Sequence, residues 1–381
     1  MPNLNIDDYI VIALDAGNSD IKAMLHGNFG GEIWFPHAVQ RPGPAEYSRT
    51  ASQLQFAVSS AGKGSSIFKY ESSDAKHDPV SSVGMVIGKK AAEKQHERLL
   101  GPAKYRRDHL GPILCAALLQ LGVESSNNVI VIGLHPTDVS AENLETFKQS
   151  VMGTHNVTLP DGEKRTYRVR YFSPIAEPVA VMMTYVLTTE GENYITKVSK
   201  DSRLEPGSRV LVLDVGGGLC SFVPVTMETD DFISVDPDAA PPISQGIEDV
   251  TRVFKTEIQS HLYDQIGKIQ KLPDDMLHNA LKKGVIELSG DETPCDEAVE
   301  SAIATIANPI RAMYNRDFAD GRPYRAIIIG GGGGAIVKPY LERYVLNHRY
   351  IYLAEHPGKM RFGAIRGASK GYALYLKAQG K

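Results

Sequence analysis

The stretch Ile12–Lys22, IALDAGNSDIK, contains the pattern on which the fold assignment depends. A run of apolar residues ends abruptly at Asp15, the small and polar residues 17–19 follow at once, and Lys22 comes shortly after them. An apolar run that stops at a glycine turn predicts a buried strand followed by a tight turn. On its own, an acid beside a glycine at a strand end is typical of a simple hairpin. That interpretation does not explain why the turn also carries a lysine.

Two further stretches repeat the strand and glycine turn. Residues 212–221, VLDVGGGLCS, again end a strand in Leu-Asp, and residues 326–336, AIIIGGGGGAI, run from a strand through glycines towards a helix. The first two stretches form a weak internal repeat, which suggests two lobes of related design that face one another across a cleft. Strands and helices alternate along the whole chain, and this order predicts an α/β protein.

The residue types in these turns favour a phosphate site. Glycine lets the backbone approach a ligand closely, and successive N–H groups in such turns form concave anion sites. Carboxylates alone would repel phosphate, so Asp15 and Asp214 indicate a hydrated Mg²⁺, which binds carboxylates and phosphates together. Lys22 would add a positive charge near the phosphates.

The third turn allows a second interpretation. Gly330, Gly332 and Ala335 fit the pattern G-x-G-x-x-A after a strand, a helix follows, and Glu355 lies beyond the next apolar run. That layout is typical of a dinucleotide-binding unit, so a nicotinamide cofactor stays open. The alternative is that these glycines allow the backbone to pack against an adenosine.

Composition excludes several classes of protein. The net charge of −4 does not favour nucleic acid or an anionic membrane as a direct partner. No apolar run is long enough to cross a bilayer, and the N-terminal MPNLNIDDYI lacks the features of a signal peptide. Three widely separated cysteines form neither a disulfide framework nor a zinc pattern, so a cytoplasmic location is expected. The 11 histidines show no ligand spacing.

Local patterns predict the remaining elements. Residues 41–75 have weak periodicity and are predicted to form surface hairpins and loops. Residues 88–101, GKKAAEKQHERLLG, predict a helix that ends at Gly101. The basic residues between Lys89 and Arg107 could meet an acidic partner or nucleic acid, although the interspersed acids and helical spacing favour a solvated helix face. Ser140 is placed as the cap of a helix that follows it.

The three glycine motifs, in this order, resemble those of the actin, Hsp70 and sugar-kinase superfamily. LDAGNSDIK resembles its first phosphate motif, LDVGGGLCS its second and AIIIGGGGGAI its adenosine motif, while residues 173–186, SPIAEPVAVMMTYV, resemble the helix that connects the lobes. Within the superfamily the chain looks most like bacterial and archaeal actin-like proteins of the ParM/StbA type. GPAKYRR, VIVIGLHP and MRFGAIRGASKGY, at residues 101–107, 129–136 and 360–372, support this similarity.

The resemblance implies an actin-like two-lobed ATPase fold, with two related ribonuclease-H-like domains around a nucleotide cleft. The implied domains are residues 1–170, residues 171–354 and a segment, 355–381, that returns to the first domain. The implied ligands are ATP or ADP and Mg²⁺. Asp15 and Asp214 would be the acids on the magnesium side, and Glu177 would orient the attacking water. Glutamate beside proline at a helix start also suits simple capping, which stays open.

The remaining site residues implied by the resemblance bind the nucleotide. They are Gly17, Asn18, Ser19 and Lys22 on the first phosphate loop; Gly216, Gly217 and Gly218 on the second; Gly246 and Glu248 near the ribose; Lys282 and Lys283 near the adenine; and Gly331, Gly332 and Gly333 against the α-phosphate and adenosine. The sequence departs from many relatives after the triple glycine, where Leu219–Ser221 replaces a Thr-x-Asp pattern.

The function implied is an ATPase that polymerises head to tail into filaments, for plasmid or DNA segregation through a DNA-bound adaptor protein. Two alternatives stay open on the same fold. One is a small-molecule kinase, which requires a base for the substrate hydroxyl. The other is an ATP-binding assembly or reactivation factor that does not polymerise.

Overall fold

The computed structural model describes residues 8–57, 64–74, 77–92, 104–137, 139–190, 204–229, 232–235, 241–266, 272, 274–288, 291–318, 324–344, 346, 348 and 350–378. The chain forms two compact units. Unit 1 comprises Met1–Ala180, Thr189–Glu192 and Ala364–Lys381, and unit 2 comprises Val181–Thr188 and Asn193–Gly363.

The strands of unit 1 form one nine-stranded sheet in the order β3-β2-β1-β7-β9-β8-β5-β6-β4. Their bounds are β1 Ile10–Ala16, β2 Asp20–Leu25, β3 Ile33–Pro36, β4 Val39–Gln40, β5 Ser65–Asp74, β6 His77–Gly88, β7 Ser126–His135, β8 Gly153–Thr158 and β9 Lys164–Ala176.

The strands of unit 2 form a five-stranded sheet in the order β12-β11-β10-β15-β16 and a separate pair, β13-β14. Their bounds are β10 Arg209–Val215, β11 Cys220–Thr229, β12 Phe232–Val235, β13 Val285–Leu288, β14 Asp291–Pro294, β15 Tyr324–Gly330 and β16 Ile351–Leu353.

The helices are α1 Pro44–Ala57, α2 Lys89–Ala92, α3 Arg107–Gln120, α4 Ala141–Val151, α5 Glu177–Val186, α6 Ile247–Ile266, α7 Asp274–Lys283, α8 Asp296–Met313, α9 Gly334–Tyr344 and α10 Gly363–Ala378. A π-helical turn, Tyr314–Phe318, follows α8, and a 3-10 helix, Pro357–Phe362, precedes α10. Among the described helices, none combines the length and the apolarity that a bilayer span requires.

The two stretches of the internal sequence repeat lie in strands that occupy equivalent positions in the two sheets. β1 pairs antiparallel with β2 and parallel with β7, and β10 pairs antiparallel with β11 and parallel with β15. The order β3-β2-β1-β7-β9 in unit 1 therefore matches the order β12-β11-β10-β15-β16 in unit 2. This shared order confirms the predicted α/β class and the prediction of two domains of related design.

Each unit has its own apolar core. In unit 1, α3 is apolar on every side and all its residues from His109 to Leu118 are buried, as expected for a helix enclosed by other elements. In unit 2, buried residues of β10 and β15 pack with those of α6 and α8. These cores place the turns after β1 and β10 on rigid central strands.

The prediction of hairpins and loops for residues 41–75 is wrong over its first part. Residues 44–57 form α1, and β5 follows from Ser65. The helix packs through Tyr47 and Ala51 in a small apolar cluster with Val86 of β6, a contact that the weak periodicity of the segment does not reveal. Of the helix predicted for residues 88–101, α2 is described, and residues 93–103 lie outside the described part of the chain.

Candidate functional site

The first candidate site lies at the hairpin between β1 and β2. In this hairpin Asp15 stands directly opposite Lys22, because residues 17–19 form the tight turn between them. Asp15 is only 5% exposed, and the Lys22 Nζ donates to its Oδ2 over 2.7 Å. The segment is thus a hairpin, as the simple interpretation has it, but this hairpin also pairs the buried Asp15 with Lys22.

The charge of Lys22 is held in place by several acids. Burial by itself would lower the pKa of this ammonium, but the charge and hydrogen bond of Asp15 outweigh burial and raise the pKa above its usual value. Asp20 and Glu177 raise it further. Lys22 therefore stays protonated, and Glu177 belongs to the same electrostatic group as the hairpin.

Glu177 reaches this group because neighbouring parallel strands end at one edge of the sheet. Asp15 of β1 is in register with Leu134 of β7, and Leu134 with Ile175 of β9. Glu177 follows directly after β9 as the first residue of α5, with its side chain half-buried. In open α/β sheets, ligands bind at the carboxyl ends of the strands, which is where these residues lie.

Two histidines that the sequence analysis treats as ordinary also belong to this site. His37 follows β3 and His109 lies in α3, and both are buried. The His37 ring contacts the carbonyl oxygen of Gly17 in the turn, and it also contacts the His109 ring. His37 and His109 are too far apart in the sequence for any motif spacing to relate them. Their contact is therefore evident only from the tertiary structure.

The second candidate site lies in unit 2 at the turn after Asp214. The Gly216 N–H donates to the Leu219 carbonyl over 2.9 Å and closes the turn. The first N–H groups of α6 donate to this turn as well, from Ile247 to Gly216 over 3.0 Å and from Glu248 to Gly217 over 2.9 Å. Gly217 and Gly218 are half-buried, so the glycine turn is fastened to the start of a helix.

Gly246 and Gly331 are glycines for steric reasons. A Cβ on Gly246 would lie 2.4 Å from the Gly217 carbonyl oxygen. Gly331 has φ +77°, and its Cβ would lie 2.3 Å from the Val215 carbonyl oxygen and 2.5 Å from Asp214 Oδ1. Contacts this close exclude any side chain, so Gly246 and Gly331 both lie directly against the turn after β10.

The rest of the third turn continues this arrangement. The Gly333 N–H donates to the Val215 carbonyl over 3.0 Å, while Gly332 is exposed. Of the residues expected in unit 2, the structure therefore brings Asp214, the two glycine turns, Gly246 and the backbone of Glu248 together. Lys282 and Lys283 end α7 with exposed side chains and take no part in the contacts that define this cluster.

The residues after the triple glycine lie in β11 or lead into it. Cys220 is buried in the core of unit 2, where burial and the nearby charge of Asp214 raise the pKa of its thiol. Ser221 stands directly opposite Asp214 in the antiparallel pair. In place of the Thr-x-Asp pattern, this chain therefore has Cys220 buried in the core and Ser221 opposite Asp214.

The donor set suits a nucleotide with a hydrated magnesium ion. Ser19 Oγ, in the first turn, is buried without a hydrogen-bond partner. Within the described part of the chain, no three His, Cys, Asp or Glu side chains cluster as a metal site. Mg²⁺ keeps several waters and takes one or two carboxylates plus phosphate oxygens, so a strand-end acid such as Asp15 or Asp214 is a ligand of the kind it takes without a cluster of three protein side chains.

Comparison with known proteins identifies the fold. Residues 13–179 match the family model for the N-terminal domain of actin-like proteins. No curated protein matches the chain. The archaeal actin homologue Ta0583 is 16% identical with a TM-score of 0.69, and the match covers 97% of this chain and 99% of that one. Ta0583 has also been solved in complex with ADP.

Two ParM proteins are similar over the same length. The match to the apo psk41 ParM protein has 15% identity and a TM-score of 0.65, and covers 98% of this chain and 99% of that one. The match to the ParM protein of a 15-stranded filament from Clostridium botulinum has 15% identity and a TM-score of 0.64, and it covers 96% of this chain and 99% of that one. These matches span nearly the whole of both chains, and together with the family model they confirm the actin-like fold that the motifs indicated.

Proposed function

The chain has the actin-like fold, and from this premise we propose that it binds ATP with Mg²⁺, hydrolyses the ATP and polymerises head to tail into filaments. The observation that carries the proposal is the ion pair between the buried Asp15 and the half-buried Lys22, with Glu177 at the same edge of the sheet. Unit 2 supports it with a second strand-end acid, Asp214, surrounded by glycine turns.

The phosphates are assigned to the two turns. Backbone N–H groups of Gly17–Ser19 and Gly216–Gly218 would bind the phosphate oxygens, because such turns present N–H groups without side chains in the way. Lys22, kept protonated by Asp15, would neutralise phosphate charge. Asp15 and Asp214 would hold the water shell of Mg²⁺, which when bound draws charge from the phosphates.

Glu177 is assigned to the attacking water. Its carboxylate lies close enough to Lys22 to raise the pKa of that ammonium, so it belongs beside the phosphate turn. A carboxylate there would accept a hydrogen bond from the water and orient it. The competing role is stabilisation of the α5 N-terminus, where a negative charge is also favourable.

The nucleoside is assigned to unit 2. Gly246 and Glu248, at the start of α6, would contact the ribose, and Gly331–Gly333 would lie against the α-phosphate and adenosine. Lys282 and Lys283 would flank the adenine. The ADP complex of the similar archaeal protein supports a nucleotide as the ligand.

The filament is assigned by similarity and by symmetry. Solved relatives include a ParM filament and the Alp12 filament. A head-to-tail contact between identical chains generates a filament when its rotation does not close into a ring. A DNA-bound adaptor would connect the filament to its cargo, as the ParM-like resemblance implies.

The rate at which ATP hydrolysis releases phosphate distinguishes the two roles considered for Glu177. Glu177→Gln should lower the rate of ATP hydrolysis by about 100-fold and leave ATP affinity unchanged, because the amide keeps the size but not the charge. Glu142→Gln is the matched control, since Glu142 also lies in the first turn of a helix, α4. Equal rates in the two variants would assign Glu177 to capping alone.

Sedimentation tests polymerisation. Pelleting with ATP and Mg²⁺, but not without nucleotide, followed by electron microscopy, is the expected result. ATP binding without pelleting over a wide range of protein concentration would instead identify an ATP-binding factor that does not polymerise. Turnover that depends on an added hydroxyl acceptor would identify a small-molecule kinase.

A further inference from the structure

His37 contacts two carbonyl groups of the turn between β1 and β2. The backbone N–H of His37 donates to the Ser19 carbonyl over 2.9 Å. Its ring Nδ1 lies 2.6 Å from the Gly17 carbonyl oxygen. A carbonyl oxygen only accepts, so Nδ1 of His37 carries the proton and donates it.

His109 determines which nitrogen of His37 is protonated. The two Nε2 atoms lie 2.8 Å apart, so one of them must donate to the other. A neutral His37 that carries its proton on Nδ1 has a bare Nε2, and His109 Nε2–H is therefore the donor. The remaining ring nitrogen of His109, Nδ1, is buried without a partner, which agrees with an unprotonated atom.

The contacts with His37 fix the direction of peptide groups in the turn. All described peptide bonds are trans, so the C=O of one residue and the N–H of the next point in opposite directions. With the carbonyl of Gly17 held against His37, the N–H group of Asn18 points away from it. A flipped peptide would present a carbonyl oxygen to the ligand instead, which an anion disfavours.

We propose that His37 and His109 form a positioning pair that orients the Gly17–Ser19 turn for phosphate binding. The inference rests on the proposed nucleotide function and adds two residues to that site. Neither ring touches the ligand; His37 acts on the turn, and His109 acts through His37. Burial and the neighbouring His37 and Arg41 lower the pKa of His109 to about 3, so His109 stays neutral at physiological pH.

The decisive readout is the affinity for ATP relative to the affinity for adenosine, measured by calorimetry. His37→Leu removes the ring donor and should weaken ATP by about 10-fold, with adenosine unchanged, because the loss concerns the phosphates alone. His37→Asn keeps an N–H at the place of Nδ1 and should restore ATP affinity to within about 3-fold of the parent. His109→Leu should fall between these variants.

His155→Leu is the matched control. His155 is also buried in unit 1, where its ring contacts the Tyr70 hydroxyl and the Val151 carbonyl, away from the turn. A general loss of stability would affect His37→Leu and His155→Leu alike and leave the ratio of affinities unchanged. An unchanged ratio in His37→Leu would overturn the positioning role, while absence of ATP binding by the parent protein would overturn the proposed function as well.

A measurement on the unaltered protein covers the case in which the leucine variants do not fold. NMR of the protein labelled with ¹⁵N-histidine should show His37 protonated on Nδ1 and His109 protonated on Nε2. The opposite tautomer of His37 would contradict the proposal, because a bare Nδ1 cannot donate to the Gly17 carbonyl.

Discussion

Replacing His109 by glutamine should remove a pH-dependent loss of stability from unit 1. Burial is the main reason that the pKa of His109 lies at about 3; His37, Arg41 and Arg106 lower it as well, and Asp108 opposes them. In the unfolded chain the same ring has a pKa of about 6.5. Between these values the unfolded state binds the additional proton, so protonation favours unfolding.

The magnitude follows from this difference in pKa. The contribution of His109 is constant above about pH 6.5, and its loss grows by about 1.4 kcal/mol per pH unit as the pH falls towards 3. The full difference corresponds to about 5 kcal/mol, a large share of the 5–15 kcal/mol that stabilises a typical domain. Glutamine does not titrate, but its amide N–H can replace the donor Nε2–H towards His37.

Trp34 provides the assay. It is the single tryptophan of the chain, it lies in β3 of unit 1, and 44% of it is exposed. Urea unfolding followed by its fluorescence therefore reports on unit 1 at each pH. Between about pH 6 and pH 4 the parent protein should lose about 3 kcal/mol more of its free energy of unfolding than His109→Gln loses.

The control is His356→Gln. His356 is exposed and belongs to unit 2, so its replacement should leave the pH dependence of the Trp34 signal as it is in the parent. Equal slopes of the free energy of unfolding against pH in the parent and in His109→Gln would refute the reasoning. They would mean that His109 titrates alike in the folded and unfolded states.

Three other changes test the structure elsewhere. Lys22→Met should destabilise unit 1 by about 2 kcal/mol in urea unfolding, because it leaves a buried carboxylate without its lysine, and the double variant with Asp15→Asn should recover part of the loss. Gly331→Ala should lower the free energy of unfolding by about 3 kcal/mol and abolish ATP binding. Its control is Gly207→Ala: Gly207 also has a positive φ but has open space around it, so this change should lower the free energy of unfolding by about 1 kcal/mol and leave ATP binding intact. Ser140→Ala should cost about 1 kcal/mol, since its hydroxyl accepts the Asn143 N–H at the start of α4, and thermal unfolding measures it.

Local patterns in the chain predicted the elements that surround the site. Apolar runs that end at glycine turns correctly indicated β1, β10 and β15, and the cap at Ser140 was confirmed by its hydrogen bond to Asn143. These predictions succeed because a turn or a cap depends on residues that are neighbours in the chain. The opposition of Asp15 and Lys22 is of the same kind, since a tight hairpin places them across from each other.

Helix α1 shows where local pattern fails. Its residues, PAEYSRTASQLQFA, include serines, threonine and glutamines and have no clear apolar face, so the segment resembles a loop. Tyr47 and Ala51 become buried through their contacts with β6, and the sequence pattern of the segment does not indicate this burial. Tertiary packing of this sort routinely overrides weak intrinsic preference.

The motifs alone were sufficient for the α/β class, the internal repeat, the acids at two strand ends and the glycine turns beside them. The tertiary structure alone brought His37 and His109 under the first turn, and set Gly246 and Gly331 against the second. The physical reason is distance along the chain. A periodic pattern records which side of an element is buried, whereas the meeting of remote residues depends on which strands pair and in which register.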